Sequence, residues 1–354
     1  MMYFIIGSAI AIVAGALTLC SSNKKYKTLT RALILEAKYN LLGVIENIND
    51  FRCARINRTD LPVQSEKVAI VTGGARGIGA AVTKLLLQCD MKVIIACRKP
   101  AAGEKLIKKI RESGVKTGKA EVYQLDNSSL KSVRNFAEQI KRDHRQIHIL
   151  INNAGIMFPP YKETEDGFEE QWAVNYLSHF LLTALLMPLL NATGTKEKKS
   201  RVVNVSSCAH ILGTINFEDI NYKDEYSTKA SYAQSKLAQV LFTKILHELS
   251  LKNDLNVESY AVHPGIVSTE LFENTFFHKI MFIMKFLFKT PEQGATPIVY
   301  AAINESIEDK GGMYINNCIE GYTSSLVLNE NIKKKLLQLT LKQVQLKDFL
   351  QYLQ

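Results

Sequence analysis

From Lys67 onward, short β-branched runs alternate with longer stretches of helical periodicity, and this alternation constrains the fold more than any single motif does. The strand candidates are KVAIVTG, MKVIIAC, EVYQLD, IHILINNAG, SRVVNVSS, NVESYAVHPG and GGMYINN. Between them lie patterns such as GAAVTKLLLQCD, SSLKSVRNFAEQIKRD and DGFEEQWAVNYLSHFLLTALLMPLL. Apolar strands that each return through a helix predict a parallel sheet covered on both faces, an α/β doubly wound fold. With 47% hydrophobic and 22% charged residues among 354, the chain has ample apolar material for such a core.

The N-terminus differs from the rest. MMYFIIGSAIAIVAGALTLC carries no charged side chain and is followed by Lys24, Lys25, Lys27 and Arg31. A cleaved signal peptide needs basic residues ahead of its apolar run, and a core helix needs a polar face or a shorter run; neither description fits. The expectation is a transmembrane anchor over residues 1–20 with the body on the cytosolic side, where the basic flank belongs. Residues 21–64 then form a basic, partly amphipathic juxtamembrane segment, 65–325 the folded domain and 326–354 a C-terminal amphipathic helix. The sequon Asn57-Arg58-Thr59 tests this topology, because a glycan there would place the body in a lumen.

Composition excludes several functions. The net charge of +10 comes without a basic stripe interleaved with aromatics, so a phosphate-bearing cofactor or anionic lipid is a better partner than nucleic acid. Cys20, Cys53, Cys89, Cys97, Cys208 and Cys318 are scattered without CxxC spacing, which argues for free thiols and against zinc or a disulfide framework. No metal is expected.

Two motifs carry chemistry. AIVTGGARGIGAAV joins the first strand to the first helix of the alternating region through Gly73, Gly77 and Gly79, where the backbone can turn sharply and approach a pyrophosphate at a helix N-terminus. The second strand ends in Cys97, Arg98 and Lys99, with no carboxylate to bond a free ribose 2′-hydroxyl. Arg98 and the loop's Arg76 suit a 2′-phosphate, so NADP(H) is expected in preference to NAD(H), with NAD(H) as the second choice. In SYAQSKLAQ, Tyr232 and Lys236 stand one helical turn apart, about 5–6 Å at Cβ. A cation about 4 Å from a phenol, at an effective dielectric of about 20, would favour the phenolate by roughly 4 kcal/mol, or about three pKa units. The expectation is a tyrosine tuned for proton transfer.

These residues, with the adenine-side Asp126 in QLDNS, NNAG at 152–155, Asn175 in WAVNYLSHF, RVVNVSS and HPGIVST, resemble the short-chain dehydrogenase/reductase family over about 65–325. The resemblance implies a single-domain Rossmann fold with strand order 3-2-1-4-5-6-7. It implies that Ser207 polarises the substrate oxygen, that Tyr232 is the general acid or base, that Lys236 lowers its pKa and holds the nicotinamide ribose, and that Asn175 positions a water leading to Lys236. Ile78, Asn153, Ala154, Gly155, Pro264, Gly265, Val267 and Thr269 are then cofactor-lining, with Ile266 beside them, and Asn152 is structural. Ser206 packs in the strand end. His179, His210, His263 and Cys208 are read as packing or pocket-lining residues, since no GxSxG elbow surrounds Ser207.

Within the family, NNAG, YxxSKLA, VHPG and KTPEQGA are similar to the membrane-anchored retinol dehydrogenase group. That likeness implies lipophilic alcohols and aldehydes, polyprenol/polyprenal or retinol/retinal, handled at the endoplasmic reticulum or a lipid droplet, and admits a homodimer. A steroid or other carbonyl reductase, or a membrane-tethered scaffold that binds cofactor, are the alternatives. FENTFFHKIMFIMKFLFKT, residues 272–290, falls where this fold places a substrate lid; Lys279, Lys285 and Lys289 are expected at the headgroup level, with the Phe and Met side chains in lipid.

Overall fold

The computed structural model describes residues 24–268 and 288–353. The proposed anchor over 1–20 and most of the Phe/Met-rich segment, with Lys279, Lys285 and Thr269, lie outside them. A long helix, α1 (Lys24–Arg52), precedes the alternating region. The sheet is formed by β1 (Val68–Thr72), β2 (Lys92–Cys97), β3 (Lys119–Gln124), β4 (Ile149–Asn152), β5 (Ser200–Val205), β6 (Val257–His263) and β7 (Tyr314–Asn316), all parallel, with a two-residue β8 (Ile319–Glu320) antiparallel to β7. The order is β3-β2-β1-β4-β5-β6-β7-β8, so the expected order holds and gains an edge strand.

Both faces of the sheet are covered, as the unbroken apolar strands require. On one side lie α2 (Gly77–Gln88), α3 (Pro100–Glu112) and α7 (Pro291–Ile303), packed on residues such as Val71, Ile95 and Val262. On the other side lie α4 (Leu130–Asp143), α5 (Glu170–Thr193) and α6 (Thr228–Lys252), around Trp172, Phe180 and Phe242. Among the described residues α5 alone is long and apolar enough to cross a membrane, yet 89% of its apolar window is buried in the body. Its all-round hydrophobicity is that of a core helix.

Caps fix where these helices start. Ser129 accepts from the Ser132 amide to begin α4, Ser227 accepts from the Ala230 amide to begin α6, and Thr290 with Gln293 forms a capping box on α7. Each contributes about 1 kcal/mol. The C-terminal helix, α8 (Glu330–Gln343), is shorter than the 326–354 span: it ends at Val344, and the tail turns back so that Phe349 stacks on Phe180 at 5.0 Å. Strand order reverses between β1 and β4, and at such a switch point the loops at the carboxyl ends of the strands part to leave a crevice.

Candidate active site

The crevice is a cavity of about 1800 Å³, above the roughly 300–1000 Å³ that a single drug-sized ligand occupies. Its floor at one end is the turn between β1 and α2. Gly73 and Gly77 there have φ of +64° and +53°, and a Cβ on Gly79 would lie 2.6 Å from Asn153 Nδ2. The turn therefore has to be glycine, and the N-terminus of α2 opens into the cavity with Gly73, Gly77, Ile78 and Gly79 on its wall. Arg76, Arg98 and Asp126 stand at the same end. Asp126 Oδ1 accepts from the amide and hydroxyl of Ser128, at 2.9 and 2.7 Å, which fixes its loop.

Asn153, Ala154 and Gly155 line the middle of the cavity. Thr72 Oγ1 accepts from the Asn153 and Ala154 amides, and Asn153 Nδ2 donates to the Thr72 carbonyl at 2.8 Å, so the NNAG turn is stapled to β1. Asn152 is fully buried and donates to Thr183 and to Asn204. His179 bridges Thr72 Oγ1 and the Asn175 carbonyl, both at 3.0 Å, and burial drops its pKa to about 3. It is a neutral packing residue.

The remaining expected residues meet at the far end. Ser207, Tyr232, Lys236, Pro264, Gly265 and Val267 all face the cavity. Tyr232 and Lys236 sit in the first turns of α6, whose start Ser227 fixes. Buried Glu169 ties this region to α5 by accepting from Ser231 Oγ and from the Trp172 amide. Ser206 donates to the Lys236 carbonyl and packs, as expected. Asn175 stands one layer behind the cavity wall, in a π-turn over Ala173–Leu177. Its amide group accepts from the Ile156 amide and donates to the Ile156 carbonyl and to Ser235 Oγ, so the side chain braces this wall.

The Lys236 Nζ donates to the Val205 carbonyl at 2.9 Å and to Gln239 Oε1 at 3.0 Å, and lies 5.6 Å from the Tyr232 ring centroid. Buried among neutral acceptors, the amine itself falls to about 7. Desolvation pushes the Tyr232 phenol well up, with Ser207 beside it pulling the other way. The helical spacing brings the pair together on one buried wall.

Sequence reasoning missed an entire wall. The segment read as juxtamembrane is α1, and it crosses the cavity: Tyr39, Gly43, Asn47 and Asp50 line it. Tyr39 donates to the Lys229 carbonyl at 2.7 Å and Glu36 pairs with Lys229. At its other end Asp50 accepts from the Ile266 amide at 3.0 Å and pairs with Lys289 at 2.9 Å. Lys289 is thus not at a headgroup level. It is 7% exposed, donates to Asn317 Oδ1 at 2.6 Å, and lies so close to Gly265, at φ +89°, that a Cβ there would be 2.6 Å from Nζ. Nothing near Lys289 in sequence announces Asp50. Phe158 was missed as well. It holds a left-handed φ of +58°, rare for a bulky residue and costing about 1–3 kcal/mol, while its amide donates to Gln171 and its ring stacks edge-on to Tyr232 at 5.3 Å and Tyr39 at 5.8 Å. His263 faces the cavity, with Glu46 Oε2 3.8 Å from its Nε2. His210 donates its Nδ1 hydrogen to the Ser207 carbonyl at 2.7 Å, and burial raises the Cys208 thiol, so both read as packing residues.

The comparisons with known proteins agree with this geometry. The family model described as short chain dehydrogenase matches residues 67–279. A polyprenol dehydrogenase of Danio rerio is 41% identical over 280 residues, covering 78% of this chain and 86% of its own. Human retinol dehydrogenase 11 is 40% identical over 273 residues, covering 76% and 83%. Among solved structures, an uncharacterized protein from Mycobacterium paratuberculosis superposes with a TM-score of 0.66 at 31% identity, covering 82% of this chain and 97% of that one.

Proposed function

Because this chain belongs to the short-chain dehydrogenase family, whose members are NAD(P)-dependent oxidoreductases, we propose that it interconverts a lipophilic alcohol and its aldehyde, of the polyprenol or retinol class, with NADP(H) preferred over NAD(H). The observation that carries the reading is one continuous cavity. Its one end is a glycine turn with two arginines, and its other end places Ser207 and Tyr232 among the apolar side chains of Met157, Phe158, Leu42 and Val44.

The residues suit a dinucleotide. Gly73 to Gly79 and the α2 N-terminus would hold its pyrophosphate, Arg76 and Arg98 a 2′-phosphate, Asp126 the adenine side, and Gly155, Lys236 and Pro264 to Val267 the nicotinamide half, with Thr269 two positions further along the sequence. When bound, the nicotinamide supplies a hydride to the carbonyl carbon, or takes one from the carbinol carbon in reverse. The chain's own work is at the oxygen. Ser207 offers its hydroxyl hydrogen to that oxygen, and Tyr232, kept protonated by burial, gives it a proton as negative charge develops. Lys236 lines the same wall, where Gly155 leaves it room: a Cβ at Gly155 would lie 3.7 Å from Nζ. Asn175 keeps that wall in place through Ile156 and Ser235.

The reading extends to the cell. Residues 1–20 anchor the chain in the membrane of the endoplasmic reticulum or a lipid droplet, the domain over 65–325 faces the cytosol, and two copies can pair. The test is an assay in detergent with NADPH and NADH against polyprenal, retinal and a steroid ketone. Turnover of the first two with NADPH supports the proposal; turnover of the steroid alone refutes it.

A further inference from the structure

Helix α1 is built inside out. The residues it turns toward the body are Tyr39, Gly43, Glu46 and Asp50, which bond to Lys229, lie against Ile266, and bond to Asn316 and to Ile266 with Lys289, respectively. Exposed on the same helix are the large side chains Leu33, Ile45, Ile48 and Phe51, at 49%, 50%, 38% and 85%; Ile48 and Phe51 stand at the rim of the cavity, and Ala37, between Leu33 and Ile45 on that side, is buried. At 100° per residue the two sets point roughly 155° apart. A helix packed only on a protein body has the opposite arrangement, with apolar residues inward and polar ones to water.

We propose that the outward row of α1 lies in the interface of a lipid bilayer, so that the helix roofs the catalytic cavity on one side and floats in acyl chains on the other. Three observations choose lipid as the occupant. The twenty residues that end four positions before Lys24 are uncharged and apolar. Exposed Arg31 sits beside one end of the row, and exposed Arg52, Arg55 and Arg58 beside the other, a distribution that suits anionic headgroups. Ile48 and Phe51 belong to the row and also to the cavity lining, so the lipid-facing surface runs into the mouth of the site. From Glu36 to Asp50 the helix spans fourteen rises of about 1.5 Å, roughly 21 Å of strap over the opening. An aldehyde dissolved in the membrane therefore reaches Tyr232 by sliding under α1 without crossing water. This inference rests on the membrane reading above, and it adds that α1 itself, beyond any anchor before it, is immersed.

The test uses the full chain in vesicles containing phosphatidylserine and lipids brominated in their acyl chains. Trp172, the sole native tryptophan, is buried and gives the unquenched background. In Ile45→Trp the emission is expected to fall at least threefold with brominated lipid, whereas Lys108→Trp, on the exposed face of α3, stays at background. In parallel, Leu33→Ser with Ile45→Ser is expected to lower kcat/KM at least tenfold for retinal presented in vesicles and to leave a short water-soluble isoprenoid aldehyde unchanged. If the vesicles carry the chain but the tryptophan at 45 is no more quenched than that at 108, the immersion of α1 is refuted and the anchor stands. If the chain does not associate with vesicles at all, the membrane reading fails with it.

Discussion

The contact between α1 and the loop after β6 depends on one buried charge pair, and breaking it has a calculable cost. Asp50 and Lys289 are 6% and 7% exposed and 2.9 Å apart. At an effective dielectric of about 20 their gross attraction is 332/(20 × 2.9), about 6 kcal/mol. Lys289→Met leaves the Asp50 carboxylate buried with the Ile266 amide and Asn317 Nδ2 as donors, at 3.0 Å each, which retain part of that energy. The expected loss is about 3–5 kcal/mol, a fall in Tm of roughly 5–8 °C for a domain of this size. Asp50→Asn added to Lys289→Met removes the stranded charge and should recover at least about 1.5 kcal/mol, a coupling that a double-mutant cycle reads directly. Because Gly265 and Val267 flank the tethered Ile266, KM for NADP(H) should rise in the single variant and return toward normal in the double. The assays are thermal unfolding in detergent and steady-state kinetics. A single variant that unfolds within about 2 °C of the parent, or a double no better than the single, would show that this pair does not fasten α1.

Three other outcomes follow from the same geometry. A Cβ at Gly43 meets nothing nearer than Ile266 Cδ1 at 3.9 Å, so Gly43→Ala should stabilise α1 by about 0.5–1 kcal/mol with turnover intact, while Gly43→Phe should fill the cavity and lower kcat/KM for polyprenal at least tenfold. Arg76→Glu with Arg98→Glu should shift the NADPH-over-NADH ratio of kcat/KM toward NADH by about a hundredfold or more, read in parallel assays. Lys236 is lowered by burial from 10.5 to about 7, so between those values the unfolded chain holds a proton that the folded chain has shed, and stability rises with pH across that window. The gain is at most about 5 kcal/mol, and Lys236→Met should flatten it in unfolding curves taken from pH 7 to 10.

Much of this architecture was legible in the sequence because its signals are local. Unbroken β-branched runs such as VAIVT and SRVVNV report burial on both faces, and the glycines of TGGARGIG report positive φ and close backbone approach, whatever lies elsewhere in the chain. That Ser207, Tyr232 and Lys236 line one cavity was legible for the same reason: each lies in a short motif at the end of a strand or the start of a helix. What failed depends on partners distant in sequence. Lys289 looked like a solvent-seeking lysine among phenylalanines, and only Asp50, on a helix more than two hundred residues earlier, makes it a buried group. The apolar side of α1 was visible, but the periodicity could not say that its polar side packs on the body. The burial of Lys236 was not legible, because helical spacing gives a distance and not a dielectric. Its neighbours Val205 and Gln239 supply neutral acceptors, and the amine loses its proton at a pH where an exposed lysine would keep it.

The central claim is that a protonated phenol on α6 delivers the proton that accompanies hydride transfer. The direct measurement is turnover of polyprenal with NADPH by Tyr232→Phe, alongside NADPH binding followed by its fluorescence. A fall in kcat of at least a thousandfold with binding within a few-fold of the parent is the predicted result; turnover within tenfold of the parent would contradict it.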